Sequence, residues 1–326
     1  MIISKTPLRM SFLGGGSDFS VFYKNNKGAV LTAAIDKFIY INVNRKFDRG
    51  IRIAYSKNEE VNSIDEIEHR LVKEALRLYK IQGGIEITTI ADIPSKGTGL
   101  GSSSSFTVGL IHALNTFIGK SLSSQELSED SCKIEIDICQ EPIGKQDQYI
   151  ASYGGFNLIE FNPDESVIVR PVQCNIGTLK KIENNILLFY TGITRSASDI
   201  LIKQKMEVAS NKAKQDILKK MVNLAYISFN EIQNNNTDTF GEILHEGWCL
   251  KKSITSEISS VDIDYWYDLA IKAGAQGGKI LGAGAGGFLM LYAPTDKHES
   301  IRLALHTLKF VPVSFESIGC RIIFNN

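Results

Sequence analysis

A chain of 326 residues is long enough for two ordinary domains, and its 43% hydrophobic and 22% charged content is that of a globular protein. Its 36 basic residues balance 36 acidic ones, so no net field draws it to nucleic acid or to an anionic membrane. The five cysteines (Cys132, Cys139, Cys174, Cys249, Cys320) form no CxxC pair or zinc spacing, the start is too short in apolar length for a signal peptide, and no run of about 18 apolar residues appears, so a soluble cytoplasmic protein with free thiols is expected.

Residues 2–13 read as a strand interrupted by Pro7, and 28–47 and 51–56 as strands rich in β-branched and aromatic residues. Residues 63–81 carry apolar side chains at helical spacing behind a Ser63-x-x-Glu66 capping box. Strand 84–94 then feeds the run SKGTGLGSSSS, after which Phe106, Leu110, Leu114 and Phe117 mark one face of a helix. Residues 123–140 look helical, 154–161 and 165–172 like a hairpin, and 184–192 like a buried strand. Two long helical stretches (196–232 and 238–259), a further helix (262–275) and a strand (286–294) complete the chain. Strands and helices come in runs and do not alternate strictly, which predicts an α+β fold in two domains with a boundary near 165–180.

Three glycine clusters stand out: RMSFLGGGSDF (9–19), KGTGLGSSSS (96–105) and GGKILGAGAGGF (277–288). In the second, glycines 97, 99 and 101 allow positive φ and close backbone approach, and hydroxyls stand where a helix opens. A helix N-terminus offers free N–H groups and partial positive charge, so this loop is a candidate phosphate seat; a flexible linker before a capped helix is the plain alternative. The third cluster contains Gly282-x-Gly284-x-x-Gly287, a formal dinucleotide fingerprint. It precedes a strand near the carboxyl end and does not open a helix after a first strand, so that reading fails. No Gly-Lys-Ser/Thr follows four spacers from a glycine, and no HRD or DFG run occurs, which excludes a Walker loop and a protein kinase.

The set TPLRMSFLGGGSD, PSKGTGLGSSSS and KILGAGAGGF, spanning residues 6–288 in that order, resembles the GHMP kinases. The resemblance implies an N-terminal domain like ribosomal protein S5 domain 2 (residues 1–172), a ferredoxin-like C-terminal domain (173–326), ATP and Mg²⁺, and a small-molecule substrate acted on by a monomer or homodimer. The segments GKQDQYIASYGGFN (144–157), YTGITRSASDIL (190–201) and HEGWCLKKSITSEIS (245–259) resemble the sugar branch that phosphorylates the anomeric hydroxyl of a heptose 7-phosphate on the way to bacterial nucleotide-heptoses. An unphosphorylated sugar of the galactose or fucose type, or a catalytically silent sugar sensor, are the alternatives. Ala285 interrupts a cluster that is often all glycine; alanine is expected to need negative φ and to reshape the loop.

By this resemblance the ATP phosphates lie on Pro94, Gly97, Gly99, Leu100, Gly101, Ser102, Ser103 and Ser104. Asp147 orients the sugar hydroxyl and accepts its proton, and Arg9 keeps Asp147 ionised and stabilises the transferring phosphoryl group. A helix cap is the plain reading of Asp147, a surface ion pair that of Arg9. Gly15, Gly16, Ser17 and Asp18, with Gly284 and Gly286, would contact the sugar; a turn or cap is the alternative for Asp18. Ser103 and Glu135 would hold Mg²⁺ through hard oxygens, with Ser102, Ser104 and Glu141 as competitors. Lys145 and Arg195 would hold a substrate phosphate, unless they are ordinary surface residues. His245, alone and without metal spacing, is expected to be structural.

Overall fold

The computed structural model describes residues 1–93, 97–194 and 197–326. Its strands are, in chain order, β1 (Ile2–Leu13), β2 (Gly28–Arg45), β3 (Ile51–Ala54), β4 (Asn58–Val61), β5 (Ile85–Ala91), β6 (Phe156–Phe161), β7 (Val167–Pro171), β8 (Ile186–Tyr190), β9 (Gly277–Ile280), β10 (Phe288–Tyr292), β11 (Lys309–Phe310) and β12 (Arg321–Asn325). The first sheet runs β12-β1-β2-β5-β3-β4, with β6 and β7 attached to the other half of β2. The 18-residue β2 serves two partners on one side: Gly28–Ala33 pair with β6 and Ile39–Arg45 with β5. Pro7 lies within β1, and the β1/β2 register shifts between Pro7 and Leu8, where a ladder donor is missing. The second sheet, β11-β8-β10-β9, is antiparallel.

The expected hairpin at 154–172 is present as β6–β7. The helical stretches differ in detail. Ser63 and Glu66 bond side chain to side chain, and the buried Ile64 and Ile67 fold the segment into a short 3₁₀ turn; the helix itself is Arg70–Leu78. The stretch 123–140 is a capped helix, Ser124–Cys132, that widens into a π-helical turn over Lys133–Ile138. Asn211 divides 196–232, accepting from the Ala213 N–H to start a second helix, Lys212–Gln233. The stretch 238–259 is a helix over Phe240–Lys252 followed by a 3₁₀ turn at Ser256–Ile258. Helices Gln146–Tyr153, Ile176–Asn184 and His298–Ala304 and the strands β4, β9, β11 and β12 carry no local pattern strong enough to predict. Strands β8–β11 form their own sheet beyond residue 172, yet β12 returns to pair with β1.

Two central helices position the site. Ser102–Phe117 packs on β1 and β2, and Gly109 lets it come close: a methyl group there would stand 2.6 Å from Thr6 Oγ1. Ser4 Oγ fastens the same helix by donating to the Gly109 carbonyl at 2.8 Å. Phe240–Lys252 packs on β9 and carries Phe240, Leu244, Gly247, Trp248 and Lys251 on its buried face. The four serines are part of the first helix and not of a loop: Ser102–Ser105 form its first turn, and Gly101, at φ 76°, is its N-cap. The first backbone bond closes from the Ser105 N–H to the Gly101 carbonyl, so the N–H groups of Ser102, Ser103 and Ser104 stay free of intrahelical partners. No helix among the described residues is long and apolar enough to cross a membrane.

Candidate active site

Strand β1 delivers Arg9 and the helix Gln146–Tyr153 delivers Asp147 to the same point. Arg9 Nε donates to Asp147 Oδ1 at 2.7 Å and Nη2 to Oδ2 at 2.6 Å, a bidentate pair. The Arg9 side chain is 6% exposed and that of Asp147 20%. Nη1 donates to the Gly99 carbonyl, and the Arg9 N–H donates to the Leu100 carbonyl at 3.0 Å, so β1 also grips the glycine loop. Asp147 lies in the first turn of its helix, but Lys145 is the N-cap and the Asp147 oxygens go to Arg9, which is not the geometry of a cap.

Gly97, Gly99 and Gly101 all have positive φ, at 69°, 76° and 76°. Pro94 lies outside the described residues. The third glycine cluster is the turn between β9 and β10, and it braces this loop. A methyl group at Gly287 would stand 2.4 Å from the Thr98 carbonyl oxygen. Gly284 and Gly286 pack on the carbonyls of Ile258 and Ile193 and do not face the cavity; Gly282 and Ala283 do. Ala285 has φ 60°, contrary to the expectation of negative φ. It is held there by its N–H donating to the Ile258 carbonyl at 2.9 Å, against an intrinsic cost of about 1–2 kcal/mol.

Glu135, on the π-helical turn, is fully buried. Ser103 Oγ donates to its Oε1 at 3.2 Å and Gln148 Nε2 to its Oε2 at 2.6 Å. Burial pushes its carboxyl up to about 7, opposed by these hydrogen bonds and aided by the Asp147 charge. A carboxylate stripped of water beside a serine hydroxyl is a hard-oxygen donor set that suits Mg²⁺, which completes its shell with water and phosphate oxygens. Among the described residues no three His, Cys, Asp or Glu side chains gather to hold a metal unaided. Glu141, the competitor, lies past the turn, with its N–H on the Glu135 carbonyl.

A small cavity opens beside the dyad. Arg9, Asp147, Gly15, Gly16 and Asp18 line it together. Asp18 is buried, its Oδ1 accepting from the Gly16 N–H at 2.9 Å and its Oδ2 from Gln146 Nε2 at 3.2 Å. Burial, then the nearby Asp147 charge, raises its pKa. Ser17 points away and bonds to Ala29 of β2. Lys145 is not brought to the cavity: its ammonium is paired with Glu165 at 2.6 Å. Arg195 lies outside the described residues. His245 stacks on Tyr267 and bonds its hydroxyl at 2.8 Å, a structural setting.

The cavity also holds residues not anticipated: Ser11, Gln146, Gln204, Lys251 and Lys279. Burial lowers Lys251 to about 8 and Lys279 to about 7, the latter also through the charges of Lys251 and Arg9. One of them was legible in the sequence. Lys251 follows Phe240, Leu244, Gly247 and Trp248 at helical spacing, so it falls on the apolar face. A second groove, lined by Tyr55, His69, Phe106, Ser102 and Ser103, adjoins the serine turn.

A helix entrance with free N–H groups, a buried carboxylate beside a serine hydroxyl and an Arg–Asp dyad at a cavity are parts that phosphoryl transfer uses. The sequence matches the GHMP kinases N-terminal domain over residues 69–155 and the GHMP kinases C-terminal domain over 228–309. It is 32% identical to D-glycero-alpha-D-manno-heptose 7-phosphate kinase of Campylobacter jejuni, with 92% of each chain covered. The fold superposes on a D-glycero-D-manno-heptose 1-phosphate kinase from Bacteroides thetaiotaomicron with a TM-score of 0.82 at 26% identity over the whole of both chains. It superposes on a sugar kinase of Campylobacter jejuni at 0.78 and 28% identity, covering 98% of this chain and 97% of that one. The chain belongs to the GHMP kinase family. It is an ATP-dependent sugar kinase with an alcohol group as acceptor, which removes the silent-sensor alternative.

Proposed function

We propose that this kinase transfers the γ-phosphoryl group of ATP to the anomeric hydroxyl of a heptose 7-phosphate, a step toward nucleotide-heptoses. The observation that carries the chemistry is the Arg9–Asp147 pair, fixed against the glycine loop at the wall of the cavity. The heptose phosphate is inferred from the Campylobacter jejuni relative, matched over nearly the full length of both chains.

The ATP phosphates lie on the free N–H groups of Ser102–Ser104, with the base in the groove of Tyr55, His69 and Phe106. Ser103 Oγ and Glu135 would hold Mg²⁺, which would supply charge neutralisation at the phosphate oxygens. Asp147 accepts a hydrogen bond from the anomeric hydroxyl and takes its proton as that oxygen bonds to the γ-phosphorus and the bond to the ADP oxygen breaks. The products are ADP and the heptose 1,7-bisphosphate. Arg9 holds Asp147 in one orientation through two parallel bonds, and Asp18 with Gln146 orients ring hydroxyls. Alignment of the hydroxyl contributes at least as much as proton removal.

The test is a panel of sugars and sugar phosphates with ATP, read by ADP release. Heptose 7-phosphate is expected to give the highest kcat/KM, by about 100-fold or more over galactose and fucose. Equal or higher values for either of those would transfer the assignment to an unphosphorylated sugar.

A further inference from the structure

We propose that the phosphate already carried by the substrate is seated on the Lys251 ammonium and the Gln204 amide, beside the Gly15–Gly16 turn. This rests on the phosphosugar reading above and names its binding site, which the sequence had placed on Lys145 and Arg195.

Lys251 is 5% exposed, and among the described residues its Nζ hydrogen-bonds only to neutral acceptors: the Gly15 carbonyl at 3.3 Å and Gln204 Oε1 at 3.1 Å. An ammonium has three donors, so one is left to offer, and a buried cation whose nearest carboxylate, Asp18, does not bond to it is costly to keep. Gln204 is fully buried, and its Nε2, a donor of two hydrogen bonds, has no partner among the described residues. That amide faces Gly16 so closely that a methyl group at 16 would stand 2.4 Å from Nε2. Ser11 Oγ, lining the same cavity, is a second buried polar group without a partner among the described residues.

The charge balance points the same way. Arg9 and Asp147 neutralise each other, which leaves Lys251 and Lys279 facing Asp18 alone. Asp18 is already engaged by Gly16 and Gln146, and among the described residues Lys279 donates only to the Phe12 carbonyl at 3.2 Å. The cavity therefore sets two buried amines and spare donors against one buried carboxylate, and a phosphomonoester dianion would supply the acceptors and the charge that keep the amines protonated. Arg9, Lys251 and Lys279 line one cavity. The transferred phosphoryl group belongs with Arg9 and the serine turn; the second phosphate belongs with Lys251.

The experiment compares the full-length wild type with Lys251→Met and Gln204→Leu on heptose 7-phosphate and on the same heptose without phosphate, at saturating ATP. Charge-assisted hydrogen bonds are worth about 1.5–3 kcal/mol, or roughly 10- to 100-fold. For Lys251→Met, kcat/KM on the phosphorylated sugar is expected to fall by about that factor, chiefly through KM, against no more than about threefold on the unphosphorylated one. Gln204→Leu should move the ratio in the same direction by less, and decides alone if the lysine variant does not fold. A preference for the phosphorylated sugar that equals the wild type's, or equal losses on both sugars, would overturn the seat. A wild type with no such preference would instead bring down the phosphosugar reading, and the seat with it.

Discussion

Gly99 and Gly282 meet backbone to backbone: a methyl group at Gly282 would stand 2.6 Å from the Gly99 Cα, and one at Gly99 2.3 Å from the Leu281 carbonyl oxygen. The glycine loop that precedes the serine turn is thus shaped by a hairpin turn about 180 residues later. Both residues have φ of 76°, so alanine is disfavoured twice, by conformation and by collision.

Gly282→Ala should therefore displace the loop. Overpacking costs about 1–3 kcal/mol and the left-handed conformation about 1–2 more. We expect a lower Tm and at least about a tenfold loss of ATP affinity by calorimetry. Gly119→Ala is the control: it has the same φ of 76° but nothing within 4 Å, so it should lose stability alone. Normal ATP affinity in a folded Gly282→Ala protein would show that the contact does not shape the nucleotide site.

Gly101→Val probes the loop from its other end. Gly101 is left-handed, and a Cβ there would lie 3.2 Å from both Asp147 Oδ2 and Arg9 Cγ. Valine should abolish nucleotide binding in calorimetry. Unchanged ATP affinity in the folded variant would remove 97–105 as the phosphate seat.

These contacts explain why parts of the site were legible and others were not. The Ser103–Glu135 pair and the Arg9–Asp147 pair follow from motif resemblance, each bringing together residues 32 and 138 positions apart. Sequence periodicity does not reach that far. It found the helix after the serines and the hairpin at 154–172, where local pattern and structure agree. It misplaced the helix at 63–81, because the buried Ile64 and Ile67 override a capping box. It could not see β12, whose partner β1 lies at the opposite end of the chain. Lys145 drew attention by its place in a motif, yet Glu165, 20 residues on, claims its charge. Lys251 was legible only as a lysine on an apolar helix face.

The π-helical Glu135 gives a signed pH dependence. Its carboxyl, raised from 4.5 to about 7, holds a proton in the folded state that the unfolded state has released. Stability without metal is then lost as pH rises from about 4.5 through about 7, by at most about 3 kcal/mol. Glu135→Gln should raise the Tm of the metal-free protein at pH 8 and leave it nearly unchanged at pH 4.5. It should also weaken Mg²⁺-dependent ATP binding by about tenfold or more at pH 8. Thermal scans at both pH values with chelator present check the first part, and calorimetry with and without Mg²⁺ the second. Equal Tm shifts at the two pH values would contradict the buried, titrating carboxyl.

Asp147→Asn separates chemistry from structure at the dyad. Asparagine keeps the size and one acceptor oxygen, but it cannot take a proton and brings an NH₂ group toward a guanidinium that can only donate. Arg9 then retains a buried charge with no counter-ion, so stability falls. Because the aspartate is partly exposed, about 1–3 kcal/mol is expected, below the cost at a fully buried pair. A positioned proton acceptor contributes about 10²- to 10⁴-fold, and misalignment alone about 10². We therefore expect kcat to drop by at least about 100-fold in the folded protein, with dissociation constants for ATP and sugar moved by only a few-fold, since the lost interaction strengthens on the way to the transition state. Arg9→Lys should show a smaller loss of kcat, because a lysine point charge cannot reproduce two parallel bonds to the carboxylate. Measuring kcat, both dissociation constants and Tm on one preparation discriminates the roles. A destabilised Asp147→Asn enzyme with normal turnover would make the dyad a structural clamp and leave the anomeric hydroxyl without its acceptor.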